Sequence, residues 1–254
     1  MIICVPSAVL YKTPELDSEQ VDEALYGEEA EISDELGGFV RIKTEYGYEG
    51  WTLKHNLFEK LHDANYIVSS SYADLLFEGR NYFHAPITLP MGARVDVGFS
   101  HLEKRYAFVV LPSNRVYYIH QSHITPLASL KNKTEEETRD TIVNTAKSYL
   151  GVQYRWGGRT HQGVDCSGLC FNAYRMAGIT IWRDADVEKN KNLRKIDISE
   201  AKKGDLVFFK GHVALYLGDG MILHASASAG VVKTENYFEN KALQEIYLTC
   251  MTVF

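Results

Sequence analysis

The sequence predicts an α+β fold: small all-β barrels first, then a helix packed on an antiparallel sheet. Three observations carry this. Residues 1–127 hold two copies of a short-strand pattern, a capped helix follows residue 133, and a cysteine-led helix near 165–177 is succeeded by strands from residue 204 onward.

In the first half, Leu25-Tyr26-Gly27-Glu28-Glu29-Ala30-Glu31-Ile32 is echoed about 65 residues later by Pro90-Met91-Gly92-Ala93-Arg94-Val95-Asp96-Val97. Gly50-Trp51-Thr52-Leu53-Lys54-His55-Asn56-Leu57 is echoed by Val116-Tyr117-Tyr118-Ile119-His120-Gln121-Ser122-His123. Short β-rich runs separated by Gly, Asp, Asn and Pro turns argue for two small barrels, at 1–61 and 62–127. Residues 128–136 read as a linker, and 137–254 as a separate domain.

Thr134 with Glu137 three residues on is a capping box. Ile142, Val143, Ala146, Tyr149 and Leu150 make one apolar face, and Gly151 is the stop. In Asp165-Cys166-Ser167-Gly168 either Asp165 or Ser167 can cap a second helix, whose apolar face is Leu169, Cys170, Ala173, Met176 and Ala177. Residues 183–198 are charged and irregular, as expected of a surface crossing. Gly204-Asp205 enters a buried strand, and two further strands flank Gly218-Asp219-Gly220, a hairpin signal.

At 254 residues there is enough chain for two or three cores, and 45% hydrophobic content is ordinary for a globular protein. A net charge of −6 disfavours nucleic acid and anionic membrane as general partners. No stretch is long and apolar enough to span a membrane, and Met1 to Leu10 lacks the basic and apolar regions of a signal peptide. The expectation is a cytoplasmic monomer, or a periplasmic or secreted one if a leader has been removed. Cys4, Cys166, Cys170 and Cys250 show no disulfide spacing. Cys166 and Cys170 have no second ligand pair, which disfavours a metal site.

The chemistry gathers around Cys166. In the first turn of a helix, unpaired N–H groups and the helix dipole stabilise an anion, so its thiol pKa is expected to be low. A cysteine taken alone is more often an ordinary buried residue. Two histidines downstream favour the nucleophile. Strand alternation puts His212 on the face of Ala214 and Tyr216, and a hairpin centred on Asp219 pairs residues whose numbers sum to 438. Ala214 then faces His224, which makes His212 and His224 diagonal neighbours on one face, able to touch. One histidine can orient the other as base.

The order helix-Cys then strand-His resembles the papain-like peptidases. Tyr154-x-Trp-Gly-Gly, Asp165-Cys166-Ser167-Gly168, Gly204-Asp205-Leu206-Val207-Phe208, Gly211-His212-Val213 and Ile222-Leu223-His224-Ala225 together resemble the NlpC-type cysteine peptidases, which cleave cell-wall peptides. Gly47-Tyr48-Glu49-Gly50-Trp51 resembles the closing strand of a bacterial SH3-like domain, and the second copy departs further from that pattern. With two such modules ahead of it, the chain resembles the γ-D-glutamyl-L-diamino acid endopeptidases. The resemblance implies a papain-like domain behind two SH3-like barrels, acting on peptidoglycan stem peptides without metal or cofactor. It makes Cys166 the nucleophile, His212 the base and then acid, and His224 the orienting residue. It puts Tyr154, Asp165 and Ser167 around the substrate, with Asp184 nearby. It gives Glu28 and Tyr48 the free α-amine of an N-terminal L-alanine, as in the recycling of released muropeptides. Three alternatives stand beside this: acyl transfer, remodelling of the intact wall, and a non-catalytic wall-binding protein.

Overall fold

The computed structural model describes residues 1–77, 85–100, 103–111 and 115–254, which form two compact units, 1–129 and 130–254. Each is built on antiparallel sheets.

In the first unit a five-stranded sheet runs in the order Gln20–Leu25, Ser7–Tyr11, Glu49–Leu53, Phe39–Thr44 and Ala30–Leu36. Its buried residues alternate along the strands, so one face supplies Ala8, Leu10, Val40 and Ile42 to a core shared with Ile3 and Leu57. A second five-stranded sheet has the order Ile87–Pro90, Tyr72–Phe77, Val116–His120, Glu103–Val110 and Val97–Ser100. It is accompanied by a three-stranded sheet made from Arg94–Val95, Tyr66–Val68 and Ile124–Pro126.

The sequence echo is a structural repeat. Glu49–Leu53 leads through a 3₁₀ turn at Lys54–Asn56 into Leu57–Phe58, and Val116–His120 leads through a 3₁₀ turn at Gln121–His123 into Ile124–Pro126. The two β modules share more than a tether. Tyr26 is buried in the second module's core with Val68, Ala93 and Val95. Its carbonyl accepts from the Arg94 N–H at 2.7 Å. Gly27 beside it has φ +77°, and a Cβ there would lie 2.1 Å from the Arg94 carbonyl oxygen, so only glycine fits the crossing.

The second unit opens with α1 (Glu135–Lys147) and its capping box: Thr134 Oγ1 accepts from the Glu137 N–H, and the Glu137 carboxylate accepts from the Thr134 N–H. Ile142, Val143, Ala146 and Tyr149 are buried as their spacing requires. Leu150 is 47% exposed, because the helix ends at Lys147 and the chain turns before it. Next comes α2 (Cys166–Met176), every residue of which is buried. α2 packs against α1 and the sheet.

That sheet has six antiparallel strands in the order Arg194–Ile196, Tyr247–Thr252, Leu206–Phe209, His212–Gly218, Met221–Ser226 and Val231–Asn236. Leu215 pairs with Leu223 and Tyr216 with Ile222, so partner numbers sum to 438 as expected, with a bulge before Gly218. A short helix, α3 (Lys241–Glu245), precedes the last strand of the chain. Residues 183–198 run mostly over the surface as expected, with exceptions. Arg183 is fully buried, Asn190 and Leu193 are nearly so, and Arg194–Ile196 joins the sheet edge.

Candidate active site

The start of α2 is fixed by one carboxylate. Asp165 is the N-cap: Oδ1 accepts from the Gly168 N–H at 2.6 Å and Oδ2 from the Gly157 N–H at 2.8 Å. Of the two caps open to the sequence, Asp165 takes the position. Arg183 closes on the same carboxylate with Nη1 3.0 Å from Oδ1 and Nη2 3.0 Å from Oδ2. Ser167 Oγ donates to Oδ1 and accepts from Arg183 Nη1 at 2.9 Å. Gly168 is held close under this cap, where a Cβ would fall 2.3 Å from the Gly158 carbonyl oxygen. Asp165 and Ser167 are therefore committed to Gly157, Gly168, Arg183 and each other. Both are buried, and their polar atoms hold the helix start.

Cys166 follows the cap as the first residue of α2 and is 7% exposed. The backbone N–H groups of Val213 and Ser167 lie near enough to its sulfur to favour the thiolate, which sets the thiol near the residue after His212. The expected low thiol pKa is not found. Burial and the negative charge of Asp165 push it up to about 11, against the two N–H groups and Arg183. Cys170, one turn further, is fully buried; burial raises its thiol pKa well above the ordinary value, and it packs as a core residue.

The hairpin delivers the histidines to one another. His212 Nε2 is 2.8 Å from His224 Nδ1, with the rings edge to face at 5.0 Å. His212 also lies against the Phe209 ring at 5.7 Å. Burial first, then His224, lowers the His212 pKa to about 4, against the pull of Glu235 and Asp165. Burial lowers that of His224 as well. At neutral pH the resting site thus holds a thiol and two neutral imidazoles.

One residue absent from the sequence reading stands next in line. His224 Nε2 is 2.7 Å from Glu235 Oε1, on the strand Val231–Asn236, with its N–H pointing somewhat off the line of contact. Ile222 pairs directly with Glu235, which sets Glu235 diagonal to His224 on the same face.

Tyr154 is half-buried near this centre, and burial, reinforced by Cys166 and Asp165, raises its hydroxyl pKa. Asp184 is half-buried beside Arg183 in the chain, and its carbonyl accepts from the Asp186 N–H. Glu28 and Tyr48 belong to the first unit. Glu28 is buried, and its Oε2 accepts from the Leu25 N–H at 2.9 Å; the Tyr48 hydroxyl donates to the Val21 carbonyl at 3.3 Å. Among the described residues, no cluster of His, Cys, Asp or Glu is arranged to hold a metal ion, and no helix is long and apolar enough to cross a membrane.

Comparison with known proteins agrees with this geometry. The NlpC/P60 family matches residues 151–251, and the bacterial SH3 domain matches residues 6–58. Dipeptidyl-peptidase 6 of Lysinibacillus sphaericus is 34% identical over 253 residues, covering 95% of this chain and 93% of its own length. A gamma-D-glutamyl-L-lysine dipeptidyl-peptidase of Bacillus cereus is 29% identical over 253 residues, covering 89% of this chain and 74% of its own. A solved NlpC/P60 family protein from Bacillus cereus superposes with a TM-score of 0.84 over 98% of this chain and 97% of that one. At 22% identity the likeness is one of fold. A cysteine at the start of a buried helix, a histidine pair on the facing hairpin and a relative matched over nearly its whole length have one common explanation: the chain belongs to the NlpC/P60 family of papain-like cysteine peptidases, with an SH3-like region ahead of the catalytic domain.

Proposed function

We propose that this peptidase hydrolyses the γ-D-glutamyl-L-diamino acid bond of peptidoglycan stem peptides, and that it prefers free muropeptides carrying an N-terminal L-alanine. The observation that carries the reading is the line Cys166, Val213 N–H, His212 and His224, in a chain whose relatives include a gamma-D-glutamyl-L-lysine dipeptidyl-peptidase.

In this reading His212 takes the Cys166 proton as the sulfur attacks the γ-carbonyl carbon. Burial makes a resting thiolate costly, so proton transfer accompanies attack. The tetrahedral oxyanion forms at the start of α2, where the Cys166 N–H and the helix dipole favour negative charge. Collapse breaks the C–N bond, and His212 returns its proton to the departing amine of the diamino acid. A thioester remains on Cys166. Water, deprotonated by His212, then attacks this thioester and releases the γ-carboxylate of D-glutamate and the free thiol. His224 holds the His212 ring through the 2.8 Å contact. Tyr154, Asp165, Ser167 and Asp184 are the candidates in this unit for contact with the peptide.

We assign recognition of the free α-amine to Glu28 and Tyr48. The turn that fixes Glu28 through the Leu25 N–H sets its carboxylate before any ligand arrives, which limits the ordering lost on binding. An amide in place of the ammonium offers the carboxylate no positive charge, so acylated substrates are disfavoured. Such a preference suits a cytoplasmic enzyme that recycles released wall fragments.

The test compares kcat/KM for L-Ala-γ-D-Glu-L-Lys, its diaminopimelate counterpart and the same peptides with the alanine amine acylated. Free-amine peptides are expected to be cut at least about 10²-fold faster, with Glu28→Ala removing most of that difference. Equal cleavage of free and acylated peptides, or of intact sacculi, would contradict the preference.

A further inference from the structure

Peptidases of this type are described by a cysteine and a histidine pair, yet the hairpin here leads on to a third strand and a carboxylate. We propose that Glu235 is a positioning residue for catalysis. It dictates which nitrogen of each histidine carries the proton, and so presents His212 with a bare Nδ1. The inference rests on the reading of His212 as the base for Cys166.

The argument follows from what each group is able to donate. An ionised carboxylate only accepts, and two bare lone pairs 2.7 Å apart repel, so charge alone puts the hydrogen on His224 Nε2 beside Glu235 Oε1 even though the N–H is turned off the line of contact. In a neutral ring Nδ1 is then an acceptor. Its neighbour at 2.8 Å is His212 Nε2, which must therefore be the donor. That leaves His212 Nδ1 as the ring's lone-pair nitrogen, the atom free to take the Cys166 proton. The opposite assignment would set an N–H there and remove the base. One carboxylate two side chains away thus selects the productive tautomer of the whole line.

Glu235 is held for this task from its own strand and from the start of α3. Asn240 Nδ2, at the start of α3, donates to Oε2 at 3.0 Å, and Lys233 Nζ lies 3.2 Å from the same oxygen. Both claim Oε2 and leave Oε1 to His224. Burial works against the charge, but these donors and His224 outweigh it, so the carboxyl stays ionised at neutral pH. The other charges facing this line are Asp165, at the start of α2, which acts on His212, and Lys233, which acts on His224.

Glu235→Gln separates positioning from mere packing. Its amide oxygen would be drawn to Asn240 and Lys233, turning the amide NH₂ toward His224 Nε2 and favouring the wrong tautomer. The histidine tautomers are read by ¹⁵N–¹H NMR on ¹⁵N-histidine-labelled full-length protein without substrate, and kcat and KM on L-Ala-γ-D-Glu-L-Lys. In the wild type both rings should be Nε2–H. In Glu235→Gln they should shift toward Nδ1–H, with kcat down about 10–100-fold and KM nearly unchanged. Glu235→Asp, which keeps an acceptor, should retain the wild-type tautomers and lose less activity, and it serves if the glutamine variant fails to fold.

Wild-type tautomers and kcat in folded Glu235→Gln, or an Nδ1–H wild-type His224, would overturn the role of Glu235. If instead the wild type cuts no muropeptide, the substrate reading falls, while the tautomers still test Glu235 on their own.

Discussion

Arg183 and Asp165 meet as a two-pronged ion pair, both contacts 3.0 Å, with the guanidinium wholly buried. The carboxylate it grips also caps α2, so the helix that presents Cys166 is anchored to a residue 18 positions away in the chain. Arg183→Met should leave Asp165 buried without its counter-charge and cost about 3–5 kcal/mol of stability. Urea unfolding of the full chain would measure it. A loss under 1 kcal/mol would mean that the capping N–H groups alone hold the helix start.

The thiol of Cys166 gives a second test, because burial and Asp165 push its pKa up to about 11. Below that value the thiolate fraction rises tenfold per pH unit. Alkylation of Cys166 by iodoacetamide, read by peptide mass spectrometry to separate it from half-buried Cys4, should therefore climb about tenfold per unit from pH 7 to 9. A plateau already reached at pH 6 would mean a preformed thiolate.

Burial also holds two histidines neutral. His212 and His161 both have pKa values lowered from 6.5 to about 4. A folded value below the unfolded one contributes stability that is present above pH 6.5 and lost as pH falls toward 4. Linkage bounds it at about 3 kcal/mol for each group. His161 stacks on Tyr149 at 3.8 Å, so His161→Phe keeps a ring there and should flatten part of the decline between pH 6.5 and 4. An unchanged slope in urea unfolding across that window would show that His161 titrates normally.

The histidine pair should divide by role. His212→Ala removes the group that moves the proton both ways, and kcat should fall by about 10⁴-fold or more. His224→Asn removes an orienting group and should cost a smaller factor of about 10². Equal, slight losses in steady-state assays would make both residues structural.

Local chemistry made much of this legible from sequence. The Thr134–Glu137 box, the cysteine at a helix start, and the hairpin centred on Asp219 each depend on residues close together in the chain, and His212 and His224 follow from that register. Contacts between distant segments were not legible. Arg183 sits in a charged stretch that reads as solvated, and only its pairing with Asp165 explains its burial. Glu235 lies on a strand whose register is set by Ser226–Val231 pairing, beyond a turn without a distinctive signal. The raised thiol pKa has a related cause: the helix dipole is visible in sequence, but the burial that outweighs it is not.

The most direct measurement is digestion of L-Ala-γ-D-Glu-L-Lys by the wild type, Cys166→Ala and Cys170→Ala, followed by mass spectrometry. Wild type and Cys170→Ala should release free lysine and L-Ala-D-Glu, and Cys166→Ala should release neither while remaining folded. Cleavage at the γ-glutamyl bond by Cys166→Ala at the wild-type rate would contradict Cys166 as the nucleophile.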